Sequence, residues 1–86
     1  MYRDYNDPLY KKFRQEVRKR DKYKCRWVGC KCKKRLHVHH ILPWDKYPLL
    51  RYEVSNGILL CRFHHRLVTG NEMVYAKTFM RILNGV

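Results

Sequence analysis

All five histidines and all four cysteines of the 86-residue chain fall between Cys25 and His65, at spacings that suit metal chemistry. Cys25-x4-Cys30 and Cys61-x2-His64 are two close pairs separated by 30 residues. Tetrahedral zinc takes four Cys or His ligands, and closed structural sites are commonly assembled from two such pairs. Gly29 lets the chain fold both sulfurs toward one point. An i, i+3 spacing at a helix start puts Cys61 and His64 on one side. The basic neighbours Lys24, Lys31 and Arg62 are expected to favour thiolates. Cys32 is an alternative to Cys30, and Cys61 with His65 at i, i+4 is an alternative to Cys61 with His64. Four protein ligands leave no position for a substrate, so this site is structural.

A second set of histidines lies in Leu36-His37-Val38-His39-His40-Ile41-Leu42-Pro43, with Asn56 and His65 further on. Leu36 to Ile41 alternates and reads as a strand. Adjacent side chains of a strand point to opposite sides, so one of two neighbouring histidines can bind a metal while the other faces a substrate. Phosphodiester hydrolysis uses that division of labour. A divalent cation neutralises the phosphate and stabilises the leaving oxygen, while a neutral base activates water. A nearby cation also disfavours imidazolium and keeps the base neutral. His37 shares a strand face with His39 and reads as a surface histidine. Asn56-Gly57 taken alone is a turn former. Trp27 and Trp44 are expected to pack around the knuckle and the loop. Asp45 has no partner carboxylate at useful spacing, which argues against a two-carboxylate mechanism.

The elements that must position these groups are short. Asp7 can cap a helix with Pro8 in its first turn. Leu9, Tyr10, Phe13 and Val17 form its apolar stripe, and Lys11, Lys12, Arg14, Arg18 and Lys19 its basic one. Pro43, Trp44 and Pro48 mark a loop running to Asn56-Gly57. Ile58-Leu59-Leu60 is a buried strand or the lead-in to a helix. Arg62 to about Val68 is helical, with Gly70 its left-handed cap. Asn71 can cap a last helix whose apolar face is Met73, Ala76, Phe79, Met80 and Leu83.

Composition bounds the function. Twenty Lys and Arg against seven Asp and Glu give a formal charge of +13, which attracts polyanions such as nucleic acid. Aromatic residues at 14% and apolar residues at 45% are too many for a disordered basic tail. So short a chain often needs a metal or disulfides to hold its fold. No apolar run approaches the ~20 residues of a membrane span, and the N-terminus has no signal-peptide pattern. An intracellular, reducing setting is therefore expected, in which cysteines serve metals more often than disulfides. No Gly-rich phosphate loop supports nucleotide hydrolysis.

The histidine stretch, Ser55-Asn56-Gly57-Ile58-Leu59-Leu60-Cys61 and Arg62-Phe63-His64-His65-Arg66-Leu67 together resemble the HNH endonuclease signature, over Cys25 to about Thr69. The resemblance implies an α+β fold: a ββα-metal (His-Me finger) core with a structural zinc knuckle, flanked here by the basic N-terminal helix and a C-terminal helix in one domain, 1–86. It implies that His39 and His65 ligate one catalytic divalent ion (Mg²⁺, Mn²⁺, Ni²⁺ or Zn²⁺). His40 would be the general base, and Asn56 would brace the loop between the strands by hydrogen bonding to its backbone or, as in some members, touch the metal. On the family register Cys25, Cys30, Cys61 and His64 hold the structural zinc. The first cysteine pair is wider than the usual pattern, and His64 stands where many members have Cys. Small members of the family often act in phage or mobile-element settings.

The resemblance thus implies a metal-dependent DNA endonuclease leaving 5′-phosphate and 3′-hydroxyl ends. The competing readings are a zinc-stabilised nucleic-acid-binding module without catalysis and a basic RNA-binding or ribosome-associated protein. Both explain the charge, but neither needs His39, His40, Asn56 and His65 beside a complete zinc site. The partner is double-stranded DNA, with Lys11, Lys12, Arg14, Arg18 and Lys19 holding phosphates. No base-reading module is recognisable, so specificity is expected to be weak. A single compact site cuts one strand per binding event, so a double-strand break would imply a homodimer or a larger DNA-processing partner.

Overall fold

The computed structural model describes residues 3–85. Helix α1 (Pro8–Arg20) starts as its sequence dictates: the Asp7 side chain accepts the Leu9 N–H, and Pro8 occupies the first turn. Strand β1 (Leu36–His40) pairs antiparallel with β2 (Gly57–Cys61), and two 3-10 turns, Pro48–Leu50 and Val54–Asn56, punctuate the connection between them. Ile58-Leu59-Leu60 is thus a strand. Helices α2 (Arg62–Val68) and α3 (Glu72–Leu83) follow. Gly70 takes the expected left-handed conformation, at φ +87°. No helix among the described residues is long and apolar enough to cross a membrane.

The two-stranded sheet lies between α1 on one face and α2 with α3 on the other. Tyr10, Phe13, Val17, Trp44 and Leu59 bury one side. Cys25, Ile41, Ile58, Leu60, Val68, Ala76 and Phe79 bury the other. Gly57 lies opposite His40 in the register. A Cβ there would stand 2.7 Å from Val17 Cγ2 and 2.8 Å from Phe13 Cζ, so its missing side chain lets α1 approach the sheet. Phe13 consequently stacks on His40, with ring centroids 5.0 Å apart.

Three expectations about helix faces are corrected. Leu9 is 62% exposed; it lies in the first turn, ahead of the contact that buries Tyr10, Phe13 and Val17. Met73 and Met80 also face outward. The inner side of α3 is built by Ala76 and Phe79 with Tyr75, Ile82 and Leu83, so the buried arc is rotated from the methionine stripe. Asn71 occupies the N-cap of α3 without a side-chain cap bond. Instead, Glu72 Oε2 accepts the Gly70 N–H at 3.0 Å.

The closure of α1 on the sheet depends on Asp21, which sequence reasoning missed. This buried carboxylate accepts bonds from Arg20 Nε and Nη2, from Arg26 Nη1, and from the Leu59 backbone N–H. Arg20 extends the clamp to the Val54 and Gly57 carbonyls, and Arg26 reaches the Ile82 carbonyl. A charge buried with its partners is costly to unpair. Asp21→Ala is therefore expected to destabilise the fold by about 3 kcal/mol, read as a lower urea midpoint at unchanged slope.

Candidate metal centre and catalytic cleft

Two sites emerge where β2 passes into α2. Residues adjacent on a helix point about 100° apart, so His64 and His65 diverge from the first turn of α2. His64 turns toward the cysteines: its Nδ1 lies 3.3 Å from Cys61 Sγ and 3.6 Å from Cys25 Sγ. The ligand atoms of Cys25, Cys30, Cys61 and His64 all lie within 4.8 Å of one another. Ordinary Zn–S and Zn–N bonds in a tetrahedron separate neighbouring ligand atoms by about 3.5–3.8 Å, so this cluster fits zinc. Gly29 adopts φ +80° in the turn between Cys25 and Cys30. The indole of Trp27 stacks on the His64 ring at 4.5 Å and 7°, which fixes the imidazole plane.

The alternatives left open by spacing differ in orientation. Cys32 is exposed, its Sγ lies against the Lys34 carbonyl, and only its backbone joins the knuckle, through Cys25 N–H. The thiolate expectation needs correction at Cys25. Burial pushes this thiol up to about 11, outweighing the backbone bonds of Cys61 and Trp27 that favour the thiolate, and the Cys30 and Cys61 side chains add to the rise. A cation at the cluster would reverse that balance.

His65 turns toward the sheet. Its ring stacks on exposed His37 at 4.9 Å and meets buried His39 edge-on at 5.8 Å. His39 Nε2 is buried with no hydrogen-bond partner among the described residues, a costly arrangement that suits a nitrogen reserved for a metal. Its other neighbours, Phe79 and the sheet, leave it largely desolvated. Burial, together with the His65 charge, lowers His39 to about 4. Burial also lowers His65, helped by the His37 and Arg3 charges. Both imidazoles are therefore neutral at pH 7, the form that binds metals.

His40, one residue along β1, faces α1, as alternation requires. Its Nε2 lies 2.9 Å from the Arg51 carbonyl oxygen. Because a carbonyl only accepts, Nε2 carries the proton and Nδ1 keeps its lone pair. Phe13, Tyr10 and Trp44 surround the ring. Burial holds His40 below the ordinary imidazole value, outweighing the Arg51 carbonyl bond, and the Arg3 and Arg51 charges add to the shift.

Asn56 is a brace. Its Oδ1 accepts the Leu42 N–H at 2.9 Å, and Nδ2 donates to the Leu42 and Leu50 carbonyls at 3.2 and 3.3 Å. These bonds tie the two ends of the β1–β2 connection, from which the Arg51 carbonyl holds His40. Trp44 packs within that loop, flanked by the guanidinium groups of Arg3 at 4.6 Å and Arg51 at 4.5 Å.

His39, His40 and His65 open on one cleft of about 290 Å³, also lined by Arg3, Trp44 and Glu72. Arg3 and Glu72 were not singled out by sequence. Burial works to raise the Glu72 carboxyl, but the Gly70 N–H bond and the His39 and Lys46 charges outweigh it and hold it below the usual range. No spacing rule links either residue to the histidines, because each reaches the cleft only through the packing of its helix or arm. The basic residues of α1 do not form one surface: Arg14 and Arg18 are half-buried beside β1, whereas Lys11, Lys12 and Lys19 are exposed.

Searches of curated proteins and of solved structures return no match. The HNH endonuclease family profile matches residues 25–69, more than half of the chain. That segment contains both cysteine–histidine half-sites, the paired histidines of β1, the asparagine brace and the histidine of α2. By this match the chain belongs to the HNH endonuclease family.

Proposed function

We propose that the chain is a divalent-metal-dependent DNA endonuclease that hydrolyses phosphodiester bonds, with residues 1–86 acting as one domain. The observation that carries this reading is the set of three neutral imidazoles in one cleft. His40 is pinned through Nε2 with Nδ1 left basic, beside the unpartnered Nε2 of His39 and the ring of His65. A merely nucleic-acid-binding module has no use for a buried, unsatisfied imidazole next to an oriented base.

In this reading His39 and His65 hold one divalent ion, and Cys25, Cys30, Cys61 and His64 hold a structural zinc. The catalytic ion, when bound, supplies charge neutralisation at the scissile phosphate and at the leaving oxygen. His40 Nδ1 takes a proton from water as the water oxygen attacks phosphorus in line. The bond from phosphorus to the 3′ oxygen breaks and that oxygen takes a proton from solvent, leaving a 5′-phosphate and a 3′-hydroxyl. The Arg51 carbonyl holds the resulting imidazolium in place, and Asn56 keeps that carbonyl in position. The basic side chains of α1 hold the DNA backbone without reading bases.

Purified protein is expected to relax supercoiled plasmid with Mg²⁺, Mn²⁺, Ni²⁺ or Zn²⁺ and to be silent without an added ion. Binding should weaken steeply between about 50 and 200 mM salt. A protein that binds plasmid but cuts it with none of these ions would leave the non-catalytic binding module as the function.

A further inference from the structure

A second groove, of about 390 Å³, runs between α1 and β1 and shares Arg3, Val38 and His65 with the catalytic cleft. Its cations are Arg3, Arg14 and Arg18, with His37 on the strand side, and no carboxylate among the described residues lines it. Two of these arginines, Arg14 and Arg3, are held in place. Arg14 Nη2 donates to the Tyr5 carbonyl at 2.9 Å, and its guanidinium lies 4.5 Å from the Tyr10 ring centroid. Arg14 Nη1 has no hydrogen-bond partner among the described residues. Arg3 rests on the Trp44 ring, where the groove meets the cleft. By contrast, Lys12 and Lys19 line a separate depression together with Glu16.

We propose that this groove carries the DNA backbone on one side of the scissile phosphate, with Arg14 and Arg18 as its phosphate contacts and Arg3 at its junction with the cleft. The inference rests on the nuclease reading and deepens it. A charged polymer follows the path on which cations converge and carboxylates are absent, and at Arg14 and Arg3 ordering a held guanidinium loses less freedom than ordering a solvated lysine. The exposed lysines of α1 then add a diffuse field but no fixed contact. The substrate strand is thereby gripped on the α1 side, with the histidines at the end of the grip.

The test is the salt dependence of binding of a fluorescent 20-base-pair duplex, without added divalent ions and with zinc retained. Each phosphate contact adds about 0.9 to the slope of log K against log salt. Arg14→Gln/Arg18→Gln should lower the slope by about 2, and Lys12→Gln/Lys19→Gln, with the same change in charge, by well under half as much. Equal slopes for the two pairs would overturn the groove. A charge-retaining variant guards against misfolding of the arginine variant: Arg14→Lys/Arg18→Lys keeps both cations in the groove and should recover most of the wild-type slope. A slope still lowered by about 2 in a variant that keeps its zinc and its cooperative melt would also overturn it. Plasmid cleavage reads the nuclease separately, so a chain that never cuts but shows the arginine-specific slope refutes catalysis and leaves the groove standing.

Discussion

His40→Ala is expected to slow single-turnover cleavage of plasmid by about 10²- to 10⁴-fold, the usual contribution of a positioned general base. Zinc content and DNA affinity should be unchanged, because His40 is neither one of the knuckle residues nor one of those lining the arginine groove. His40 also packs against Phe13 and Trp44, so the truncation leaves a void that added imidazole can fill. Partial rescue of cutting by imidazole would separate lost base chemistry from lost structure. A His40→Ala protein that cuts at the wild-type rate would remove His40 from the mechanism.

The pH profile supplies the sign. Burial keeps His40 below the ordinary imidazole value and sets His39 at about 4. A base with a lowered pKa stays unprotonated further into acid. The acid limb of the single-turnover rate should therefore lie below pH 6.5, the value of an unperturbed histidine, and the rate should be flat from there toward neutrality. An acid limb centred above pH 7 would contradict the buried, cation-flanked environment of His40.

Loss of the knuckle metal is the other large effect. Apparent binding energies of structural zinc are about 10–16 kcal/mol at neutral pH, comparable to or larger than the 5–15 kcal/mol stability typical of a folded domain. Cys61 is also the last residue of β2 and the N-cap of α2, and Cys25 and Cys61 both belong to the core. Cys61→Ser should therefore yield a chain without bound zinc, without a cooperative thermal transition and without cleavage. Atomic emission should find one zinc per wild-type chain before any catalytic ion is added. The Cys25 thiol sits at about 11, so loading zinc at pH 7 must expel its proton. Calorimetry in buffers of different ionisation enthalpy should detect that release, and zinc affinity should rise with pH. A Cys61→Ser variant that melts cooperatively at the wild-type temperature would make the knuckle dispensable. Cys32→Ser, by contrast, should retain both zinc and stability, since its sulfur lies outside the cluster.

Much of this architecture is written locally. Asp7-Pro8 marks the start of α1, Gly70 ends α2, and alternation along Leu36–His40 sends His39 and His40 to opposite sides. Each of these is decided by forces acting over one to four residues: a cap bond, a left-handed backbone, the pleat of a strand. The pairs Cys25/Cys30 and Cys61/His64 are legible for the same reason, because metal ligands on a turn or a first helical turn must recur at short spacing. The HNH-like order of His39, His40, Asn56 and His65 was legible too.

Other choices depended on contacts across tens of residues. Whether Cys30 or Cys32, and His64 or His65, faces the knuckle is a matter of how the turn and α2 are rotated about β2, which neighbouring residues do not determine. Leu9 and Met80 match the helical period but stay exposed, Leu9 at 62% and Met80 at 38%. Asp21 reads as one acid in a basic run, and only the approach of Arg26 and the Leu59 N–H makes it a clamp. The basic stripe of α1 reads as one face, yet its placement beside β1 divides the half-buried arginines from the exposed lysines. The sequence by itself determined which residues can ligate, cap and alternate, because those properties belong to side-chain chemistry and local geometry. Tertiary structure alone decided which of them meet, because burial and charge act between surfaces that exist only once the helices have closed on the sheet.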